Sequence, residues 1–325
     1  MLNIRNWVVY EARYSASFIF VGTFVFLLLW YGSAGAFSAG NLPGFFSSKR
    51  QLIGTIAMLV ILPSFLLSSY VRAQRRTFSL LSQLQAPSLP NYAGISQDLS
   101  VGFVFGGTLL GLSYSLLNLP GQPSEITAAG PVIIAIAIGQ LHLWSVVGLI
   151  LGARLRSSLL FHRAGKLVTF NLFETSKLKI FAQTGLTDAL IVLVGLTLSV
   201  LQALDAQFRY DNYLLAVVVC LPAIVVLMIT PMYSLHLRLR DQKQTEIEAV
   251  NVLIRNASKA LSGERIQQLE QLLQRRDRLK SLSTWPLDVS VVSRLLLYIV
   301  IPPLAWLGAA FVEIGLDGVL KTGGG

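Results

Sequence analysis

The residues able to do chemistry in this chain are few, and their spacing excludes most chemistry. Three histidines, His142, His162 and His236, are too far apart to form an HExxH or HxxxH pair. The single cysteine, Cys220, excludes an intramolecular disulfide and a cysteine-based metal site. No GxSxG elbow, phosphate-cradling glycine loop or pair of carboxylates suited to acid–base work occurs. Neither an enzyme nor a cofactor nor a metal is expected.

What remains is one histidine in unusual company. The stretch "IGQLHLWS", residues 138–145, sets His142 in an apolar run with nothing ionisable between Pro131 and Arg154. His142 falls near the middle of a membrane-length segment, where an ionisable group is a functional candidate by default. Steps of three or four residues put Gly139, His142, Ser145 and Gly152 on one face. Gln140 lies about 200° away from His142 at about 100° per residue. Three roles follow for His142: a neutral imidazole satisfied by one interhelical hydrogen bond, a pore or substrate contact, or a haem or metal ligand. The lack of a second, suitably spaced histidine speaks against the last.

The elements that must position these residues follow from composition. Of 325 residues, 54% are hydrophobic and 13% charged, with a mean hydropathy of +0.63. A soluble domain carries about 25% charged residues, so much of this chain meets a solvent other than water. Seven apolar runs, roughly 16–33, 51–70, 99–118, 131–153, 186–204, 213–235 and 290–315, are long enough for the ~30 Å bilayer core. Unbroken apolarity excludes a barrel, and backbone groups in lipid demand helices. The expected class is an all-α polytopic integral membrane protein with about seven transmembrane helices. Run 16–33 reads as a retained span, although "GSAGAFSAG" at 32–40 is small enough for a cleavage site.

Charge sets the orientation. Segments on the N-terminal side of the membrane hold 22 of the 26 Lys and Arg residues, and the opposite segments hold Lys49, Arg50, Arg209 and Lys321. By the positive-inside rule the N-terminus is cytoplasmic. The net charge of +10 is thus an orientation signal and an attraction for anionic inner-leaflet lipid, not a nucleic-acid footprint. Short outer loops at about 34–50, 119–130 and 205–212 leave no room for an outer domain, which points to a bacterial inner membrane.

Two features concern packing and movement. Gly102, Gly106, Gly107 and Gly111 form two overlapping small-xxx-small frames in the third span, answered in the fourth by Ala135 with Gly139 and by Gly148 with Gly152. A close crossing of these two spans is expected. In the seventh, Pro302 and Pro303 remove two donors and should kink the helix, freeing carbonyls near Tyr298 and Ile299. His142, Gln140, Tyr298, Pro302 and Pro303 are the pore or gate candidates.

The chain divides into a six-span region, 1–235, a cytoplasmic helical hairpin, 236–288, and a kinked seventh helix, 289–322. Residues 323–325 read as a non-native glycine tail. Within the first part, 154–185 interleaves Phe170, Phe173, Leu178 and Phe181 with Lys166, Lys177 and Lys179. It reads either as an interfacial segment with its rings in the acyl boundary or as a cover on cytoplasmic protein. In the hairpin, Ile247, Val250, Ile254, Ala257 and Leu261 form one stripe, on a helix expected to continue from the sixth span; after Ser262–Gly263, Leu269, Leu272, Leu279 and Leu282 form another, interrupted by Arg276. The arms are too short to stand alone, so they should pack on each other, on 154–185, or on a second subunit.

Three functions fit. The first is a homo-oligomeric channel, assembled through the hairpins, with the kinked seventh helix lining or gating the path. The second is an uncoupled transporter of a neutral solute, suggested by a partial repeat between "VILPSFLL" and "VCLPAIVV". The third is an accessory or scaffold subunit of a membrane complex. Coupling to a proton or cation is not expected, because Asp98, Asp188 and Arg294 fall at inner span ends and Glu313 near an outer one.

Overall fold

A computed structural model describes residues 14–38, 49–84, 94–117, 130–168, 176–199, 201, 211–258, 263–285 and 293. They form seven helices: α1 (Ala16–Ser33), α2 (Lys49–Gln83), α3 (Gly94–Leu117), α4 (Gly130–Leu167), α5 (Ser176–Leu198), α6 (Asp211–Ser258) and α7 (Gly263–Ser281). No strand occurs among the described residues. Five helices contain a stretch long and apolar enough to cross a membrane, within α1, α2, α4, α5 and α6; α3 has a shorter apolar stretch, Val101–Leu116. The described residues are all-helical, and their long apolar helices are those of a helical membrane protein. The expected seventh span with Tyr298, Pro302 and Pro303, the glycine tail, Phe170, Phe173 and the Ser262 turn position all lie outside the described residues.

The helices outrun the apolar runs that begin them. At about 1.5 Å per residue, a helix of α4's length reaches about 57 Å, nearly twice the bilayer core. The expected span 131–153 therefore continues unbroken as α4 to Leu167, and the helix expected to run on from 213–235 does so as α6 to Ser258. The cause is local: Arg, Lys, Gln, Glu and Leu, which follow the apolar runs, are all good helix formers. Pro63 in α2 and Pro222 and Pro231 in α6 lie inside helices that carry on past them.

The projecting ends gather at the basic end of the bundle. Arg75 of α2 donates to the Tyr14 carbonyl at 2.9 Å, which places the start of α1 at that end too. Arg238 of α6 donates to the Gly165 and Val168 carbonyls at 3.1 and 2.8 Å, satisfying carbonyls left open where α4 ends.

Three apolar clusters hold the bundle. One joins α1, α2 and α4 through Tyr31, Leu59, Leu62, Val146 and Ile150. A second joins α5 and α6 through Ala189, Val192, Leu193, Ile224 and Leu227, with Leu151 and Leu155 of α4 against it. The third lies at the basic end and includes Phe161, Phe181, Met232, Leu235, Val250 and Leu279.

Where residues 154–185 are described, this third cluster packs them on protein. Phe181 does not sit in an acyl boundary. It is fully buried and edge-on to Phe161, with ring centroids 5.8 Å apart. Burial of a phenylalanine side chain out of water stabilises by roughly 1.5–3 kcal/mol. The hairpin shares the cluster: Val250 and Leu279 are buried, with Ile247, Ile254, Leu272 and Leu282 packed beside them. Lys243 of α6 donates to the Lys280 and Leu282 carbonyls, both at 2.7 Å, and so ends α7. His236 then stacks on Trp285 at 4.2 Å and bonds the Thr284 carbonyl at 3.1 Å, returning the chain to α6.

Candidate functional site

The site is built on α4, whose faces meet different neighbours. Toward α3 the helix offers Gly148, and α3 answers with Gly107 and Gly111. A Cβ on Gly107 would stand 3.1 Å from the Gly148 Cα, and one on Gly111 2.9 Å from the Trp144 Cβ. The missing side chains let the two backbones touch. Thr108 and Ser145 join their hydroxyls across this seam at 2.9 Å, and Ser115 donates to the Ala137 carbonyl at 3.2 Å. Gly102 and Gly106, the other frame in α3, would present a Cβ to open space among the described residues. Gly152 is buried on α4.

Gly139 does not share this seam. It faces the other way, where the Tyr31 hydroxyl of α1 and Leu59 of α2 fill the notch it leaves. Steps of three lag the helix by about 60° each, so three steps from Gly139 reach the opposite side at Gly148. His142, one step on, lies between the two contacts. It is half-buried, and no group among the described residues hydrogen-bonds it. The expectation that Gly139, His142, Ser145 and Gly152 address one neighbour is therefore corrected: the face divides between α1–α2 and α3.

Gln140 points elsewhere, into a cavity. Its side chain, buried among α2, α3, α4, α5 and α6, joins Met58, Leu62, Leu66, Leu143, Trp144, Val147, Ile150, Leu151, Val192 and Leu196 in lining a space of about 80 Å³. The lining residues that carry polar side-chain groups are Gln140, Tyr114, Trp144, Ser199 and Cys220. The wall is thus apolar with a few hydrogen-bonding groups, the usual make-up of a small-molecule site.

One helical turn beyond the cavity lies a group that inspection of span ends placed at the boundary. Arg154 is on α4, three and four residues after the cavity residues Leu151 and Ile150; Asp188 is on α5, four residues before Val192. Arg154 Nη1 donates to Asp188 Oδ1 at 3.1 Å, with the side chains 1% and 3% exposed. Asp188 Oδ2 and Arg154 Nε and Nη2 are buried without a partner among the described residues. Nearby, the Thr77 and Ser157 hydroxyls meet at 3.1 Å between α2 and α4. Pairing and burial of this kind mark substrate paths and proton relays in membrane proteins.

The pair was within reach of the sequence. Asp188 is the single acidic residue between Glu174 and Asp205, and Arg154 is the first Lys, Arg, Asp or Glu after Pro131. Two opposite charges at the same end of neighbouring antiparallel helices are candidates to meet.

The chain matches no family model, no curated protein and no solved structure. Among the described residues no cluster of His, Cys, Asp and Glu could hold a metal.

Proposed function

We propose that the protein is a membrane transport protein that moves a small, neutral, largely apolar solute along a path inside a single chain. The observation that supports this is the cavity of about 80 Å³ among five helices, apolar except for the polar groups of Gln140, Tyr114, Trp144, Ser199 and Cys220. The Gln140 amide on an apolar wall selects a solute that offers it a hydrogen-bonding partner, because leaving such a group unpaired costs about 1–3 kcal/mol, while the Ser199 hydroxyl already donates to the Leu196 carbonyl at 2.6 Å. Seven spans, a cytoplasmic N-terminus and a bacterial inner membrane belong to the same reading. The side-by-side position of Tyr14 and Arg75 and the bias of 22 of 26 basic residues to one side support it.

The shared-pore alternative draws on Tyr298, Pro302 and Pro303 and on hairpins that join subunits. The hairpin's apolar stripes have partners within the chain, which favours the single-chain path.

Cys220 tests this, since it is the sole cysteine and lines the cavity. In proteoliposomes, a membrane-impermeant methanethiosulfonate cation applied from one side should modify Cys220, and solutes that occupy the cavity should slow the reaction. Modification by membrane-permeant N-ethylmaleimide, with no reaction from either side with the impermeant cation, would mean the cavity meets lipid alone. The accessory-subunit reading would then replace transport.

A further inference from the structure

We propose that Asp188 is a proton-binding site and that its protonation opens the end of the cavity closed by the Arg154–Asp188 pair, coupling solute movement to a proton. This rests on the single-chain path above and adds the coupling that inspection of span ends argued against.

Three observations carry it. Both partners are buried in protein, with side chains 1% and 3% exposed. They meet through a single contact, which leaves Asp188 Oδ2 free. They sit one helical turn from the cavity wall, beyond Ile150 and Leu151 of α4 and Val192 of α5. A buried ion pair is weak glue, since its desolvation penalty can match its attraction, whereas breaking it leaves a buried charge uncompensated. Such a pair is poised between two states that a single proton distinguishes.

The groups around Asp188 fit that role. Arg154 faces it from α4, and Arg76 of α2 acts on it through space. From α6 come no ionisable groups at this level, but the Leu227 and Met228 carbonyls, which pack against Gly185 one turn before Asp188. The Tyr70 phenol of α2, bonded to Gln74, lies near Arg154 and Arg156.

The step is a simple proton transfer. A proton from water on one side binds the free Oδ2, the carboxylate becomes a neutral carboxyl, and no covalent bond to carbon changes. Arg154 keeps its charge but loses its counter-ion, so it must turn to the Thr77 and Ser157 hydroxyls or to entering water. That movement separates α4 from α5 below the cavity. Release of the proton to the other side restores the pair.

The full-length protein in phosphatidylcholine–phosphatidylglycerol vesicles tests this. The readout is the rate at which the impermeant methanethiosulfonate cation modifies Cys220 from the Arg-rich side, divided by the rate with membrane-permeant N-ethylmaleimide at the same pH, between about pH 8 and about pH 5. The thiolate is the reacting form for both reagents, so thiol ionisation slows both as pH falls and cancels in the ratio. If Asp188 gates the path, the wild-type ratio rises as pH falls, by up to about tenfold per pH unit where the carboxylate titrates. Asp188→Asn should hold a high ratio at every pH, without that rise. Asp188→Glu keeps a titrating group and should keep the rise with a displaced midpoint, so the proposal remains testable if Asp188→Asn does not fold. A wild-type ratio that stays flat or falls as pH falls overturns the proton site while leaving the path standing. No reaction with the impermeant cation in wild type or variants, with N-ethylmaleimide still reacting, overturns the path itself.

Discussion

Adding one methyl group at Gly148 separates the α3–α4 seam from a generic tolerance of glycine in membrane helices. A Cβ there would stand 3.0 Å from the Phe103 carbonyl carbon, closer still to its oxygen, and 3.3 Å from the Gly107 Cα. These are backbone atoms, so no rotamer change relieves the contact, and α3 must move away from α4. Overpacking of this sort costs about 1–3 kcal/mol. Separation also stretches the 2.9 Å contact between Thr108 and Ser145, a membrane hydrogen bond of a kind worth about 0.6 kcal/mol. Gly107→Ala should behave in the same way, since its Cβ would meet the Trp144 carbonyl oxygen.

The controls lie on the same helix. Gly102 and Gly106 would carry a Cβ with nothing within 4 Å among the described residues. Alanine there should leave stability unchanged or raise it by up to about 1 kcal/mol through backbone entropy. Thermal unfolding of the purified protein in detergent, followed by tryptophan fluorescence, reads the difference. At about 2 °C or somewhat more per kcal/mol, Gly148→Ala and Gly107→Ala should lower Tm by several degrees. Equal losses at Gly106 and Gly148, or no loss at Gly148, would refute the seam.

Other substitutions address the remaining positions. Tyr31 is fully buried, with a hydroxyl that has no partner among the described residues, so Tyr31→Phe should be neutral or stabilise by about 1 kcal/mol in the same unfolding assay. Tyr31→Ala, which empties the notch at Gly139, should cost about 3–5 kcal/mol. His142→Leu should leave Tm within about 0.5 kcal/mol of wild type, since no described group bonds the imidazole; a large loss of assembly would make it interhelical glue instead. Gln140→Leu should keep the fold but lose the protection of Cys220 by hydrogen-bonding solutes, read as equal modification rates with and without solute.

The helices were legible because lipid leaves the backbone no other choice, so long apolar runs translate directly into α1, α2, α4, α5 and α6. The α3–α4 contact was legible through glycine spacing, but which of two frames mattered was not. Frames 102–106 and 107–111 have the same chemistry, and where α4 lies decides between them. The face assigned to His142 failed for a geometric reason, the lag of 60° per three residues, which turns three short steps into half a turn. The continuation of α6 into the hairpin was legible from the stripe at Ile247, Val250 and Ile254, but the ends of α2 and α4 were missed because a loss of apolarity was read as the end of a helix. It marks the end of lipid contact, and Arg154 and Arg163 continue α4 beyond it.

That distinction also governs Asp188. Depth in a bilayer and burial in protein are different quantities, and a sequence read as spans and loops measures the first. By depth, Asp188 stands where water and headgroups begin. By burial it is 2% exposed, because Arg154, where α4 runs on toward Leu167, pairs with it, and α6 packs Leu227 and Met228 against α5 one turn before it. An ionised carboxylate surrounded by protein on the way between a cavity and water carries the energetics of an intramembrane charge, whatever its distance from the midplane. The charges most able to couple transport in such a bundle are those at span ends whose neighbours run on as helix, and in this chain Arg154 and Asp188 meet that condition together.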